Sequence, residues 1–262
     1  MKTATISSNN EDRGYQKPSI FNIISVMDKY CQESKHSYIL GISLIVEALN
    51  KKPEYVKEVI LSSKAYRNKE LETLLNLCRE HNIKVNEDDR TIEKLSLKEN
   101  CYGIGVLRKY SSVLTTDRHL VLYNFKDEGK LGTIIRSAVS FDLRDIVLIN
   151  SDIDLFSPKL IRASMGSFFH ARIVSYNSFD EYLSTTKNTL IPFTSNGTRE
   201  LQTIHIKDRY SIIIPSSADE LNDTFMESYY IRHKENEEVP LTSLSAIVFN
   251  YFFHQNAAGK NI

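Results

Sequence analysis

The chain breaks into short apolar runs separated by polar turns, and the period of those runs identifies most of its elements. Tyr38–Leu49 begins extended and becomes helical, with Leu44, Ile45, Ala48 and Leu49 on one face. Val59–Leu61, inside VKEVILSS, reads as a short strand. KELETLLNLCREHN then places Leu71, Leu74, Leu75 and Cys78 at helical spacing, predicting an amphipathic helix with Asn82 as its C-cap. Ile83–Val85 and the glycine-bearing CYGIGVLRKY predict two further strands. Ahead of these, residues 1–15 are polar without period and read as a disordered lead-in, while Ser19–Tyr30 repeats at helical spacing.

The second half alternates more regularly. HLVLYNF is a strand, and LGTIIRSAVSF a helix with Ile134, Ile135 and Ala138 facing inward. DIVLIN is a buried strand, followed by SPKLIRASMG, a helix capped by Ser157 with Pro158 at its first position. HARIVSY, TLIPFTSNG and RYSIIIP are strands, SFDEYLSTT and ADELNDTFMESYY helices, and LTSLSAIVFNYFFHQ a long apolar helix. Such alternation predicts an α/β chain whose mainly parallel sheet is covered on both faces. The polar stretch SSVLTTDRH divides the halves into a domain at 16–109, a linker at 110–118 and a second domain at 119–262.

Charge and cysteine usage narrow the chemistry. Lys+Arg and Asp+Glu both number 33, so any polyanionic partner needs a locally clustered basic surface instead of a global positive field. No apolar run approaches the roughly 20 residues that span a bilayer, and the amino terminus lacks the apolar core of a secretory signal. Cys31, Cys78 and Cys101 form no CxxC pair, which argues against zinc or a disulfide framework and fits a reducing, cytoplasmic setting. No GxGxxG follows a strand, and neither GxxxxGK[ST] nor HExxH occurs, which argues against a dinucleotide site, a P-loop or a metalloprotease.

What remains is a linked pair of segments, Lys130–Asn150 and Phe156–Tyr176. Gly132, Ile134, Ile135, Arg136, Ser137, Ala138 and Phe141 fit one block, and Ser157, Pro158, Lys159, Arg162, Ala163, Ser164 and Gly166 the next. In this order they resemble the SpoU/TrmH-like RNA 2′-O-ribose methyltransferases of the SPOUT superfamily. The resemblance covers roughly residues 118–256 and, through LGISLIVEAL, the front half. It implies a trefoil-knotted, mainly parallel C-terminal domain behind a smaller ribosomal-protein-like α/β substrate-binding domain. It also implies S-adenosylmethionine as methyl donor, structured RNA as substrate (ribosomal ahead of transfer RNA) and a homodimer.

The family's catalytic arginine matches Arg136. A guanidinium titrates too high to serve as a base, so its physical role is to grip the phosphate beside the target ribose. A solvated helix charge or a structural ion pair are the plainer readings. Lys159 and Arg162 share a helix face, and with Ser164 and Lys130 they are the expected RNA contacts; an ordinary exposed basic face explains the two cations equally well. The resemblance places the cofactor on Ile214, Pro215, Ser216 and Ser217, and on Leu241, Ser243, Leu244 and Ser245. The chain departs from the family where Lys130 replaces an asparagine, and where Pro215–Asp219 lacks the glycines and glutamate of G-x-E-x-x-G. It departs again where Ser245 replaces an asparagine, after a shortened loop. Asp219 or Glu220 is a candidate for the missing carboxylate. Three readings follow: a methyltransferase, an RNA-binding protein of the same fold without transfer, and an interaction module that has lost RNA.

Overall fold

The computed structural model describes residues 29–258, apart from 66–68, 97–99, 195–196, 206–208, 218–219, 222–223 and 235–238. The lead-in expected at 1–15, and all but the last two residues of the helical pattern at 19–30, lie outside the described residues.

The first half is a four-stranded sheet of β1 (His36–Leu40), β2 (Val56–Leu61), β3 (Lys84–Glu87) and β4 (Gly103–Arg108). Its order is β1-β4-β2-β3; β4 runs antiparallel to both neighbours, and β2 pairs with β3 in parallel. Gly41, at φ 120°, turns the chain out of β1 into α1 (Ile42–Lys51), a conformation that a side chain would strain. Helix α1 buries Leu44, Ile45, Ala48 and Leu49, the face that periodicity gave. Helix α2 (Lys69–Glu80) buries Leu71, Leu74 and Cys78. A third helix, α3 (Asp89–Leu95), is too short for its period to show in the sequence; it starts because the Asp88 side chain accepts from the backbone N–H of Arg90 and Thr91.

The second half is a five-stranded sheet of β5 (Arg118–Tyr123), β6 (Asp145–Ile149), β7 (Arg172–Tyr176), β8 (Thr189–Pro192) and β10 (Tyr210–Pro215). The order is β7-β6-β5-β10-β8 and every pairing is parallel. Helices α4 (Glu128–Ser140), α5 (Pro158–Ala163), α6 (Phe179–Thr185) and α7 (Leu241–Ala258) connect and cover it. The chain reaches edge strand β8 before β10 inserts next to β5, at the centre. Two short strands, β9 (Arg199–Glu200) and β11 (Tyr229–Tyr230), pair in parallel beside it. One apolar cluster joins the halves, running from Ile45 and Leu49 through Phe168 and Leu131 to Phe249. No helix among the described residues is long and apolar enough to cross a membrane.

The helix expected over ADELNDTFMESYY is not found among its described residues. Its described residues make isolated turns, Glu220 N–H to Ser217 and Thr224 N–H to Leu221, and end in β11. Tertiary contacts override the local pattern: Leu221 is buried, Phe225 meets Phe179 edge-on at 5.8 Å, and Tyr229–Tyr230 are held by Arg199–Glu200.

The linker is fastened at the amino-terminal edge of the parallel sheet. Asp145 is fully buried, accepting from the backbone N–H of Thr115 (3.2 Å) and Thr116 (2.8 Å), the Thr116 hydroxyl (2.6 Å) and the Arg172 guanidinium (2.5 and 3.0 Å). Burial pushes this carboxyl up, but the Arg172 and Thr116 bonds outweigh it and hold the group below the usual carboxylate range. Beside it lies a second polar cluster. Tyr182 oxygen is 2.8 Å from His119 Nδ1 and 2.5 Å from the Ser211 hydroxyl, and His119 Nε2 is 2.7 Å from the Thr116 carbonyl. Asn188 adds an amide N–H to Ser211 at 3.1 Å.

Because folding depresses the Asp145 pKa, its contribution to stability is present above the unfolded carboxylate value, near pH 4, and is lost as pH falls through the lower folded value. Asp145→Ala is expected to cost about 3–5 kcal/mol by leaving Arg172 and the linker amides unpartnered. Urea denaturation from pH 3 to 7 checks this; an unchanged midpoint for the variant at pH 7 would contradict it.

Candidate functional site

Both motif blocks open capped helices. Asp127 caps α4 by accepting from Lys130 N–H at 2.8 Å, and this bond holds the Asp127 carboxyl below its usual range. Ser157 caps α5 by accepting from Lys159 N–H at 3.3 Å, with Pro158 in first position. The helices touch at Gly132: a Cβ there would stand 2.5 Å from Ala163 Cβ and 2.8 Å from its carbonyl carbon. Only a residue without a side chain permits that approach. Gly132 therefore serves helix–helix contact, and Gly166, at φ 88°, serves contact with α1, where an added Cβ would lie 3.0 Å from Glu47 Cγ. His170 Nε2 to Glu47 Oε2 at 2.9 Å holds the same junction between the halves.

That crossing determines where the cations emerge. Arg136 lies one turn beyond Gly132 on the same stripe of α4, so it leaves the helix beside the end of α5. It is exposed, and its guanidinium has no hydrogen bond or ion pair among the described residues. Lys159 is exposed, its Nζ 3.7 Å from Glu128 Oε2 at the start of α4. Arg162, one turn on, is half-buried, and Lys130 is exposed in the first turn of α4. Four basic residues thus radiate from two helices fixed against each other. Ser164 does not join them: it is fully buried, its hydroxyl donating to Ile161 O at 2.7 Å and accepting from Phe168 N–H at 3.2 Å. Its hydroxyl, expected from the sequence at the RNA, is engaged within the turn after α5.

The expected cofactor residues lie on two elements. Ile214 and Pro215 end β10 and are buried, Ser216 is half-buried and Ser217 exposed. Leu241, Ser243, Leu244 and Ser245 start α7, which packs against α4. Ser243 is exposed, whereas Ser245 is buried with its hydroxyl donating to Leu241 O at 2.7 Å.

Ligands of open α/β sheets seat at the carboxyl ends of the strands, and here those ends carry a polar network. Asn124 and Asn150 follow β5 and β6 in the left-handed conformation, at φ 58° and 53°. Asn124 N–H donates to Ile149 O (2.9 Å), and Ser216 N–H to Tyr123 O (2.9 Å). The Glu220 carboxylate accepts from Asn124 Nδ2 (2.8 Å) and the Ser216 hydroxyl (3.1 Å), bridging the exits of β5 and β10. Of the two carboxylates that the sequence offered, Asp219 lies outside the described residues. The asparagines were missed; their signal was the shared ending of VLYN and VLIN. No His/Cys/Asp/Glu group among the described residues has the arrangement of a metal site.

Residues 117–216 match the SpoU rRNA Methylase family, and residues 38–103 match the RNA 2′-O ribose methyltransferase substrate binding family. The chain is 30% identical over 142 residues to the 23S rRNA (guanosine(2553)-2′-O)-methyltransferase RlmP of Bacillus subtilis, covering 53% of this chain and 54% of that protein. It is 39% identical over 56 residues to the mitochondrial rRNA methyltransferase 3 of Mus musculus, covering 21% of this chain and 13% of that protein. The matched region thus spans about half or less of these curated relatives. The fold is similar to the SpoU methyltransferase AviRb of Streptomyces viridochromogenes, with TM-score 0.72, 15% identity, and 86% and 91% of the two chains covered. It is also similar to an rRNA methyltransferase of Sinorhizobium meliloti, with TM-score 0.69, 18% identity, and 84% and 87% covered.

The α4–α5 crossing makes a steep prediction. Gly132→Val is expected to destabilise the chain by about 1–3 kcal/mol through overpacking against Ala163, despite the loss of a flexible glycine. Thermal melting reads this, and a melting point at or above that of the parent would show that the helices separate freely.

Proposed function

We propose that this chain, a member of the SpoU methylase family, transfers the methyl group of S-adenosylmethionine to a ribose 2′-hydroxyl of structured RNA. Ribosomal RNA is the expected class, since RlmP and mitochondrial rRNA methyltransferase 3 are named for it. The observation that carries the reading is Arg136, an exposed guanidinium with no partner among the described residues, on the helix that touches both α5 and α7.

The ribose hydroxyl is a weak nucleophile, so catalysis rests on holding it in line with the methyl group. Arg136 would grip the adjacent phosphate through its planar fork, while Lys159, Arg162 and Lys130 hold flanking phosphates. The donor, when bound, supplies an electrophilic methyl and a good leaving group. Its cationic centre suits the Glu220 carboxylate at the strand ends, beside the exposed Ser217, while Ser243 is exposed in the first turn of α7. The backbone of Ile214–Ser217 and of Leu241–Ser245 would line the rest. The substrate-binding half, linked through His170–Glu47, would orient the RNA. Assembly as a cytoplasmic homodimer, through α7, where Ile247 and Phe253 are exposed, completes the reading.

The RNA-binding protein without transfer is the second reading, favoured by Pro215, which removes a backbone donor from the strand end. Calorimetry with S-adenosylmethionine separates the two; no heat at millimolar ligand selects the second.

Arg136→Ala is expected to reduce methylation of ribosomal RNA at least about 10²-fold. Its unfolding free energy should stay within about 0.5 kcal/mol of the parent, since the side chain is exposed. Arg136→Lys should recover little, because an ammonium lacks the bidentate fork. Transfer of labelled methyl is the measurement, and normal transfer by the alanine variant would remove Arg136 from the mechanism.

A further inference from the structure

The carboxylate of Glu220 is held in an unusual electrostatic position. It bridges the exits of β5 and β10, the edge at which a parallel sheet presents its ligands. Both of its partners, the Asn124 amide and the Ser216 hydroxyl, are neutral donors. No Lys, Arg or His forms an ion pair with it among the described residues, although the chain pairs Glu47, Glu128, Glu200 and Glu227 with cations elsewhere. Asn124, fixed in the left-handed conformation by its bond to Ile149 O, and Ser216, fixed by its bond to Tyr123 O, leave the carboxylate little freedom to turn away. The result is a preorganised negative charge, without a counter-charge among the described residues, exposed at the ligand-seating edge.

We propose that Glu220 is a specificity-determining residue that pairs with the sulfonium of the methyl donor and distinguishes it from the neutral thioether product. This inference rests on the methyltransferase reading above. S-adenosylmethionine and S-adenosylhomocysteine share adenosine, carboxylate and ammonium groups, and they differ in the methyl and the positive charge on sulfur. An anion beside the sulfur therefore favours the donor and speeds product release. A structural strap between two loops, the other role this geometry allows, would act on both ligands alike.

The test is calorimetric binding of both ligands to the full chain and to Glu220→Gln, which keeps the shape and loses the charge. The parent is expected to bind the donor at least about tenfold more tightly than the product, the scale of one charge-assisted contact. In Glu220→Gln that ratio should fall to within about twofold, through weaker donor binding alone, and Glu220→Asp should restore part of it. A ratio near one in the parent, or one unchanged by Glu220→Gln, overturns the inference while leaving the donor reading in place. Tighter binding of both ligands by the variant also overturns it, because the carboxylate then acts as a latch. Failure of the parent to bind either ligand removes the methyltransferase reading and this inference together.

Discussion

The contact between Gly132 and Ala163 is the constraint on which the arrangement of the site depends. It brings the two motif helices to backbone-contact distance, so the side chains leaving each helix are fixed relative to the other by main-chain geometry. Arg136 inherits its direction from that crossing, as do Lys159 and Arg162. Helix α4 carries the effect further, because α7 lies along it and the strand before it ends in Asn124. A displacement of α5 would therefore move the basic face and the strand-end network together.

Legibility followed length and period. Every strand of the parallel sheet was readable as an apolar run bounded by turns, most clearly β5, β6 and β10, whose burial leaves little polar punctuation inside them. Helices α1, α2 and α4 were readable from their stripes. Helix α3 was not, since seven residues with one cap give too little periodicity to separate from a turn. The stretch from Ala218 to Tyr230 failed for the opposite reason: its residues permit a helix, but Leu221, Phe225 and the tyrosine pair have stronger engagements across the fold.

The candidate site was legible where its residues stand in contiguous blocks and illegible where they act through distant partners. Arg136, Lys159 and Arg162 sit in recognisable patterns, and the exposure of the first two follows from helical phase. Ser164 matches its pattern equally well, yet its hydroxyl is consumed inside the turn, which only coordinates reveal. Glu220 is 96 positions from Asn124 in the chain. No reading of neighbouring residues brings that pair together; the parallel register of β5 against β10 does.

The cluster beneath the linker has a directional consequence. The Thr116 carbonyl is purely an acceptor, so His119 Nε2 carries hydrogen, and in the neutral ring Nδ1 accepts. With Tyr182 donating to Nδ1, Ser211 donates to Tyr182, and the Asn188 amide stands within reach of Ser211, His119 Nδ1 and the carbonyls of Asp117 and Tyr210. The dipoles line up head to tail from α6 and β10 toward the connecting segment, each polarising the next. The tether between the halves thus ends on a buried chain of hydrogen bonds, and a change of side chain at any link reaches the connecting segment through the Thr116 carbonyl.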